Sequence, residues 1–357
     1  MARFCFLAER QVGIGSAAGA IEPFIRRAPG SDWTDVTYAR EGGLLERVPF
    51  PGRVGGTLRG IEQVTSALRR GPFDALFFLT HNPAVFQPWA LSRTPSLLWT
   101  DVTPRLLDTQ AEQYDHPVDK IAMVSRVKHA LVKRTFHQAA LCVGWSHWAR
   151  RSFVSDYAVP EARTAVVAPG IDLSRWQLPE RPPSSELPRL LFVGGNFVRK
   201  GGDLLLDVFR QSLRGRCELD LVTRDPITEE TGVRVHRNLS AGSERLLELY
   251  RRAAAFVLPT RGDCFSIASM EAMAMGLPVV VSDVGGISEI VDESTGYLIP
   301  AGSGRDLSQA ALALLDDEER RRRLGAAGRR KAEEKFSAER TAERLLELMT
   351  SVARKPS

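Results

Sequence analysis

The chain has no uninterrupted apolar run of about 18 residues, so no membrane-spanning helix is expected. Its opening, MARFCFLAERQ, lacks the basic segment, long apolar stretch and small-residue cleavage site of a secretion signal. Cysteine is scarce: Cys5, Cys142, Cys217 and Cys264 are scattered, with no C-x-x-C pair and no ligand spacing with histidine. This pattern excludes a disulfide-stapled scaffold and a zinc module, and predicts reduced, mostly buried thiols in a cytoplasmic protein. No G-K-[S/T] closes a glycine-rich loop, which excludes a Walker-type phosphate site. No nucleic-acid reader motif occurs and basic residues do not interleave with aromatics, so a nucleic-acid partner has no support. Internal repeats are absent too.

What is present is the balance of a globular protein, 43% apolar and 25% charged, long enough for two domains. The net charge of +5 is uneven. Residues 1–178 carry 21 Lys and Arg against 16 Asp and Glu, while residues 179–357 carry 27 against 27. An excess confined to the first half suits an anionic partner, either a phosphate-bearing substrate or a membrane surface, unless it only reflects an arginine-rich surface.

Short apolar runs alternate with amphipathic stretches. RFCFLA (3–8), ALFFLT (75–80), SLLWT (96–100), ALCVGW (140–145), TAVVAP (164–169), RLLFVG (189–194), LDLVT (219–223), AAFVLPT (254–260) and PVVVSD (278–283) read as strands, several apolar on both faces. GGDLLLDVFRQSL (201–213) and GSERLLELYRRAA (242–254) have the helical period. The alternation predicts an α/β protein with parallel sheets. QLPERPPSSELP (177–188) is rich in Pro and Ser and reads as a linker. The expected organisation is therefore a first domain over 1–176, a linker over 177–188, a second domain over 189–335, and a C-terminal helix over 336–357 that crosses back or packs locally. Two doubly wound sheets would bind ligands at the carboxyl ends of their strands, in a cleft between them.

RGDCFSIASMEAMAMG (261–276) does not read as scaffold. A strand ends in a turn at Asp263, and a helix of small residues follows, closed by Gly276 and Pro278, with Ile267, Met270 and Ala274 on one packing face. A thin helix start presents free N–H groups and a positive dipole end to phosphate. Asp263 and Glu271 would bracket a ligand that carries hydroxyls as well, because each carboxylate accepts several hydrogen bonds. The plain alternative makes Asp263 a cap and Glu271 a solvated residue.

GDCFSIASMEAMAMGLPVVVSDVGGISEIV resembles the signature of retaining, nucleotide-sugar-dependent glycosyltransferases of the GT-B fold, the family called GT4. Two acids separated by seven residues, a small-residue helix, Gly-Leu-Pro-Val-Val, then Gly285, Gly286 and Glu289 all match, with Asp263 where the family usually has Glu. The resemblance implies two Rossmann-like domains facing a central cleft, with the nucleotide sugar on the second and the acceptor on the first. It implies that Asp263 contacts the donor sugar, that Glu271 holds the ribose hydroxyls, and that Cys264, Phe265, Ser266 and Ile267 line the phosphates. RLLFVGGNFVRKGGDLLL (189–206) resembles the family's opening to the second domain, with Lys200 as its phosphate-binding lysine. The family's arginine after Val-Gly is replaced by Gly195, which leaves Arg199 as the second cation. Two cations on such a loop suit a leaving diphosphate, whose charge grows as the glycosidic bond breaks. RVHRNLSAGSERLLELYRRA (234–253) corresponds to a stretch whose backbone near Arg237 and Asn238 faces the base. No D-x-D motif occurs, in keeping with a metal-independent enzyme that needs no cofactor.

Gly13 and Gly15 in QVGIGSAAGA (11–20) suit a first loop whose backbone approaches the donor diphosphate. With Ala18 and Asp32 they also fit the dinucleotide fingerprint of an NAD-dependent oxidoreductase, although Glu9, Arg10 and Gln11 interrupt the run from strand to glycine. A non-catalytic nucleotide-sugar binder or an epimerase is the other alternative. His81 and the pair Thr100–Asp101 end strands and are candidates to meet the acceptor. The resemblance, with the family's usual His-Asp at the pair, implies Asp101 as an acceptor-orienting group or base, with Thr100 in the histidine's place. The family's mechanism needs no protein nucleophile. KIAMVSRVKHALVKRTF (120–136) joins Ile121, Val124, Val127, Leu131 and Val132 to Arg126, Lys128, Lys133 and Arg134. It reads as a core helix with a basic outer face, or as a peripheral contact with anionic lipid. The acceptor is a small molecule, a glycan or a lipid-linked sugar.

Overall fold

A computed structural model describes residues 2–11, 13–39, 52–114, 122–179 and 187–353. The chain divides into two compact units: Met1–Thr109, Pro117–Gly170 and Ala338–Ser357 form the first, Gln110–His116 and Ile171–Ser337 the second. Ile171–Trp176, expected with the first domain, thus pack with the second. The Ile171 N–H donates to Phe336 O at 2.7 Å, and the Trp176 ring meets Tyr250 edge-on at 5.1 Å. Of the expected linker, residues 180–186 lie outside the described residues.

The first unit holds six strands: β1 (Phe4–Glu9), β2 (Ser31–Val36), β3 (Ala75–Leu79), β4 (Ser96–Thr100), β5 (Leu141–Gly144) and β6 (Thr164–Val166). They form one parallel sheet in the order β2-β1-β3-β4-β5-β6. The order reverses between β1 and β3, and the crevice beyond the carboxyl ends there is where doubly wound sheets take ligands. β1, β3, β4 and β5 are buried along their whole length, as continuous apolar runs require. One face stacks Phe6, Phe77 and Trp99, whose neighbouring centroids lie 5.0 and 6.0 Å apart. The other packs Leu7, Phe78, Leu98 and Cys142 against Phe136 and Phe153. The last helix, Ala338–Val352, belongs to this unit: it buries Leu345 and Met349 and lies on Ile14–Arg27, β3 and β4.

The second unit repeats the plan with β7 (Arg189–Val193), β8 (Glu218–Val222), β9 (Val233–His236), β10 (Ala255–Leu258), β11 (Val279–Ser282) and β12 (Gly296–Ile299). The parallel order is β12-β11-β10-β7-β8-β9, with the reversal between β10 and β7. No disulfide joins the four cysteines, and all are buried. Among the described residues no helix is long and apolar enough to cross a membrane.

The helix Ala122–Gln138 departs from the core-helix expectation. Val132, Thr135 and Phe136 are buried, but Val124, Val127 and Leu131 are exposed, and so is Met123, at 68%. Ile121 lies outside the described residues. The apolar stripe therefore faces outward over the first turns, because only the last turns reach the sheet.

Candidate functional site

The reversal point of the second sheet gathers most of the predicted donor residues. β7 runs into Gly194–Gly195 and then a tight loop that carries Arg199 and Lys200. Gly201 closes this loop at φ 77°, and a Cβ there would stand 1.9 Å from Pro259 O, so only glycine lets the loop lie on the chain leaving β10. The contact is sewn by hydrogen bonds: Arg261 N–H to Arg199 O at 2.8 Å, and Arg199 Nη1 to Gly262 O at 2.8 Å. In consequence Lys200 Nζ makes an ion pair with Asp263, both side chains being mostly buried. The glycine pair behind them is equally constrained: Gly285, at φ 59°, would put a Cβ 2.0 Å from Asp263 O, and Gly286 N–H donates to Cys264 O at 3.0 Å.

The helix Ile267–Ala274 follows, capped by Ser266, whose Oγ accepts from Ser269 N–H at 3.3 Å. It was expected to pack by one face, yet Ser269 through Ala274 are all buried. The reason is a second helix, Glu318–Lys335, which crosses at Gly325 and Gly328; a Cβ on Gly325 would stand 2.1 Å from Gly276 O. Small residues are thus demanded from both sides. Glu271 is 8% exposed rather than solvated, and Tyr250 Oη donates to its Oε2 at 3.1 Å. Burial pushes the Glu271 carboxyl up to about 8 against the pull of that hydroxyl. A buried acid with a single side-chain partner is costly to keep inside a small-residue helix, which makes Glu271 a candidate ligand-binding group. Arg237 and Asn238 lie beyond β9 on the same edge, Asn238 with φ 59°.

The first unit holds the remaining candidates, so the structure brings together two sets, one per unit. Gly13 caps the helix Ile14–Arg27 at φ 88°, with nothing within 4 Å of a Cβ, and Gly15 lies in its first turn. Asp32 is no partner for these glycines. It pairs in register with Cys5, at the amino end of β2, and bonds Arg70 at 3.0 Å. The loop leaves β1 after Glu9, four residues on, about 13 Å along the strand. A dinucleotide's acid belongs at the glycine end, and the fingerprint fails on that geometry. His81 turns inward, edge-on to Phe136 at 5.9 Å, and burial lowers it to about 4, which leaves a neutral ring. Thr100 is buried with its hydroxyl donating to Val102 O at 3.0 Å, while Asp101 stands half-buried at the strand end.

Three residues at these edges escaped the sequence reading. Glu9 is fully buried at the reversal point of the first sheet, accepting from the Thr80 hydroxyl and from Asn82 Nδ2 at 3.4 Å, and burial raises its carboxyl. Its neighbours Thr80 and Tyr38 have φ of 70° and 58°, strain of a kind that collects at binding sites. The signal was an acid ending an otherwise apolar strand, FCFLAE. Tyr114, from the Gln110–His116 segment of the second unit, lies under the Arg199 guanidinium at 4.3 Å and against Cys264 Sγ at 3.4 Å. Arg224, after β8, stands beside Gly195. Neither position has a local pattern. Among the described residues no group of three His, Cys, Asp or Glu could hold a metal ion.

Residues 187–317 match the family described as glycosyl transferases group 1. They span β7 to β12 and the loops that carry the second unit's candidate residues. The D-inositol 3-phosphate glycosyltransferase of Geodermatophilus obscurus is 31% identical over 231 residues, 57% of this chain and 50% of that protein. The lipopolysaccharide core mannosyltransferase LpsB of Rhizobium meliloti is 28% identical over 244 residues, 59% of this chain and 69% of that one. The chain spans about half the length of the first of these relatives. Among solved structures, the sucrose-phosphate synthase of Thermosynechococcus elongatus superposes with a TM-score of 0.76 at 17% identity, over 98% of this chain and 99% of that one. Anabaena HepE in complex with UDP-glucose superposes at 0.74 and 16% identity, over 98% of this chain and all of that one. The fold class is GT-B: two Rossmann-like units, each a six-stranded parallel sheet with flanking helices.

Proposed function

We propose that the protein is a nucleotide-sugar-dependent glycosyltransferase of the GT4 kind that retains configuration, with UDP- or GDP-linked donor on the second unit and acceptor on the first. The observation that carries the reading is the grouping of Lys200, Asp263 and the buried Glu271 around one loop and helix start at the reversal point of the second sheet. Glu271 accepts the ribose hydroxyls, Asp263 orients the sugar, and Lys200 and the N–H groups from Cys264 to Ile267 meet the diphosphate, while Arg199 braces the loop through Gly262 O. Arg237 and Asn238 face the base. In the transfer, the bond from anomeric carbon to phosphate oxygen breaks and the acceptor oxygen bonds that carbon on the same face. The acceptor's proton goes to the departing phosphate, so no protein nucleophile is required and Asp101 serves to orient the acceptor. The cations and the helix dipole supply the charge that a metal ion would otherwise bring. The UDP-glucose in the HepE structure and the sugar-transfer names of the relatives support this assignment.

Thermal shift with UDP-, GDP-, ADP- and dTDP-sugars tests it. One donor at about 100 times its Kd should stabilise the fold by about 2.7 kcal/mol. Release of sugar from that donor separates a transferase from a binder or an epimerase. No shift with any of the four would overturn the reading.

The acceptor we propose is lipid-linked, with the helix Ala122–Gln138 resting on an anionic membrane. Its exposed Met123, Val124, Val127 and Leu131 lie among Arg126, Lys128 and Arg134, the composition of an interfacial helix. The protein should co-sediment with vesicles rich in phosphatidylglycerol. Val127→Asp with Leu131→Asp, both outside the core, should lower that binding at least tenfold. Equal sedimentation of wild type and variant would reject the membrane contact.

A further inference from the structure

The carboxyl edge of β7 ends in two residues without side chains, and a different cation flanks each. A Cβ on Gly194 would come 2.8 Å from the Cβ of Lys200, so the lysine stem lies flush against it. A Cβ on Gly195 would meet only Arg224, at 3.7 Å from Nε, 3.8 Å from Cδ and 4.0 Å from Cζ. The backbone that carries Arg224 is clamped to this loop. Gly194 N–H donates to Val222 O at 2.9 Å, Thr223 N–H to His236 O at 3.1 Å, and Phe197 N–H to Asp225 Oδ2 at 2.6 Å. Asp225, the acid beside Arg224, is therefore occupied. Among the described residues the Arg224 guanidinium has no hydrogen-bond or ion-pair partner, although its position is fixed at the root. Arg199, the cation expected to act with Lys200, is committed to Gly262 O and to the face of Tyr114.

We propose that Arg224 is the second diphosphate-binding cation, with its guanidinium filling the space above Gly195 that a side chain on β7 would otherwise hold. The inference rests on the donor reading above and names the residue that completes its phosphate site. An unpartnered arginine and a lysine on either side of a bare glycine pair present planar and point charges to one bridging ligand, the arrangement that two linked phosphates demand.

The test is calorimetric titration with UDP, GDP and ADP, followed by the matching nucleoside without phosphates. Arg224→Ala should weaken the preferred diphosphate about 10- to 50-fold and leave the nucleoside unchanged. Adding Gly195→Arg to that variant should restore most of the lost affinity, because the new side chain starts from the floor of the same space. Diphosphate affinity within twofold of wild type in Arg224→Ala would overturn the assignment while the donor reading stands. A wild-type protein that binds none of the three diphosphates overturns the donor reading and the assignment together.

Discussion

Replacing Glu271 by glutamine should weaken nucleotide-sugar binding about 100-fold without costing the fold any stability at neutral pH. The carboxyl sits at about 8, so in the empty protein it is largely neutral at pH 7, and an amide of the same shape replaces it closely. The bound state differs. Two ribose hydroxyls need a carboxylate that accepts from both, and glutamine offers one acceptor where the carboxylate has two. Losing a hydrogen bond to a charged group and facing the other hydroxyl with a donor together cost about 2–3 kcal/mol.

The pH dependence follows from the same proton, and its sign is fixed. In the unfolded chain this carboxyl titrates near 4.5, in the folded one near 8. Between those values the folded protein holds a proton that the unfolded chain has lost, so the contribution to stability is complete below 4.5 and declines as pH rises towards 8. Wild type and Glu271→Gln should therefore melt together at pH 4, and the variant should gain on wild type as pH rises to 8. Binding runs the other way, since the ribose selects the ionised form. Affinity for an intact nucleotide sugar should rise with pH by up to about tenfold per unit below 8, with proton release seen by calorimetry in two buffers. A flat affinity profile in wild type, or undiminished binding by Glu271→Gln, would remove Glu271 from the site.

How much of this was legible depended on where each element lies in its sheet. Buried strands such as SLLWT and RLLFVG announce themselves as apolar runs because both faces are covered. The strands missing from the apolar-run reading, β2, β9 and β12, are edge strands. SDWTDV, VRVH and GYLI are half-exposed and keep polar or small residues, so nothing in their composition marks them. The candidate site divides similarly. Lys200, Asp263 and Glu271 fall at fixed spacings within two short stretches, where a linear pattern carries information. Arg224 and Tyr114 arrive from other loops, and Glu9 needs its neighbour Thr80, 71 residues away, to show that it is buried. Glu271 itself illustrates the limit. Its small-residue helix was readable, but the reason for the small residues, a glycine-bearing helix crossing at Gly276, was not.

Lys200 carries the other large effect, and two roles in it can be separated. In the empty protein its ammonium faces the Asp263 carboxylate, with side chains 16% and 8% exposed. Lys200→Met leaves that acid without its partner in a poorly solvated place, which should cost about 2–4 kcal/mol of stability. Lys200→Met with Asp263→Asn removes both charges and should recover most of the loss, measured by urea denaturation. Turnover behaves differently. The charge that develops on the departing diphosphate meets this ammonium, and its removal should lower the transfer rate about 100- to 1000-fold in the single and the double variant alike. A double variant that is stable yet inactive separates the ion pair's structural part from the chemistry that Lys200 and Asp263 together supply. Recovery of transfer along with stability would instead reduce Lys200 to a brace for Asp263, and the diphosphate's cation would have to be sought elsewhere on the loop.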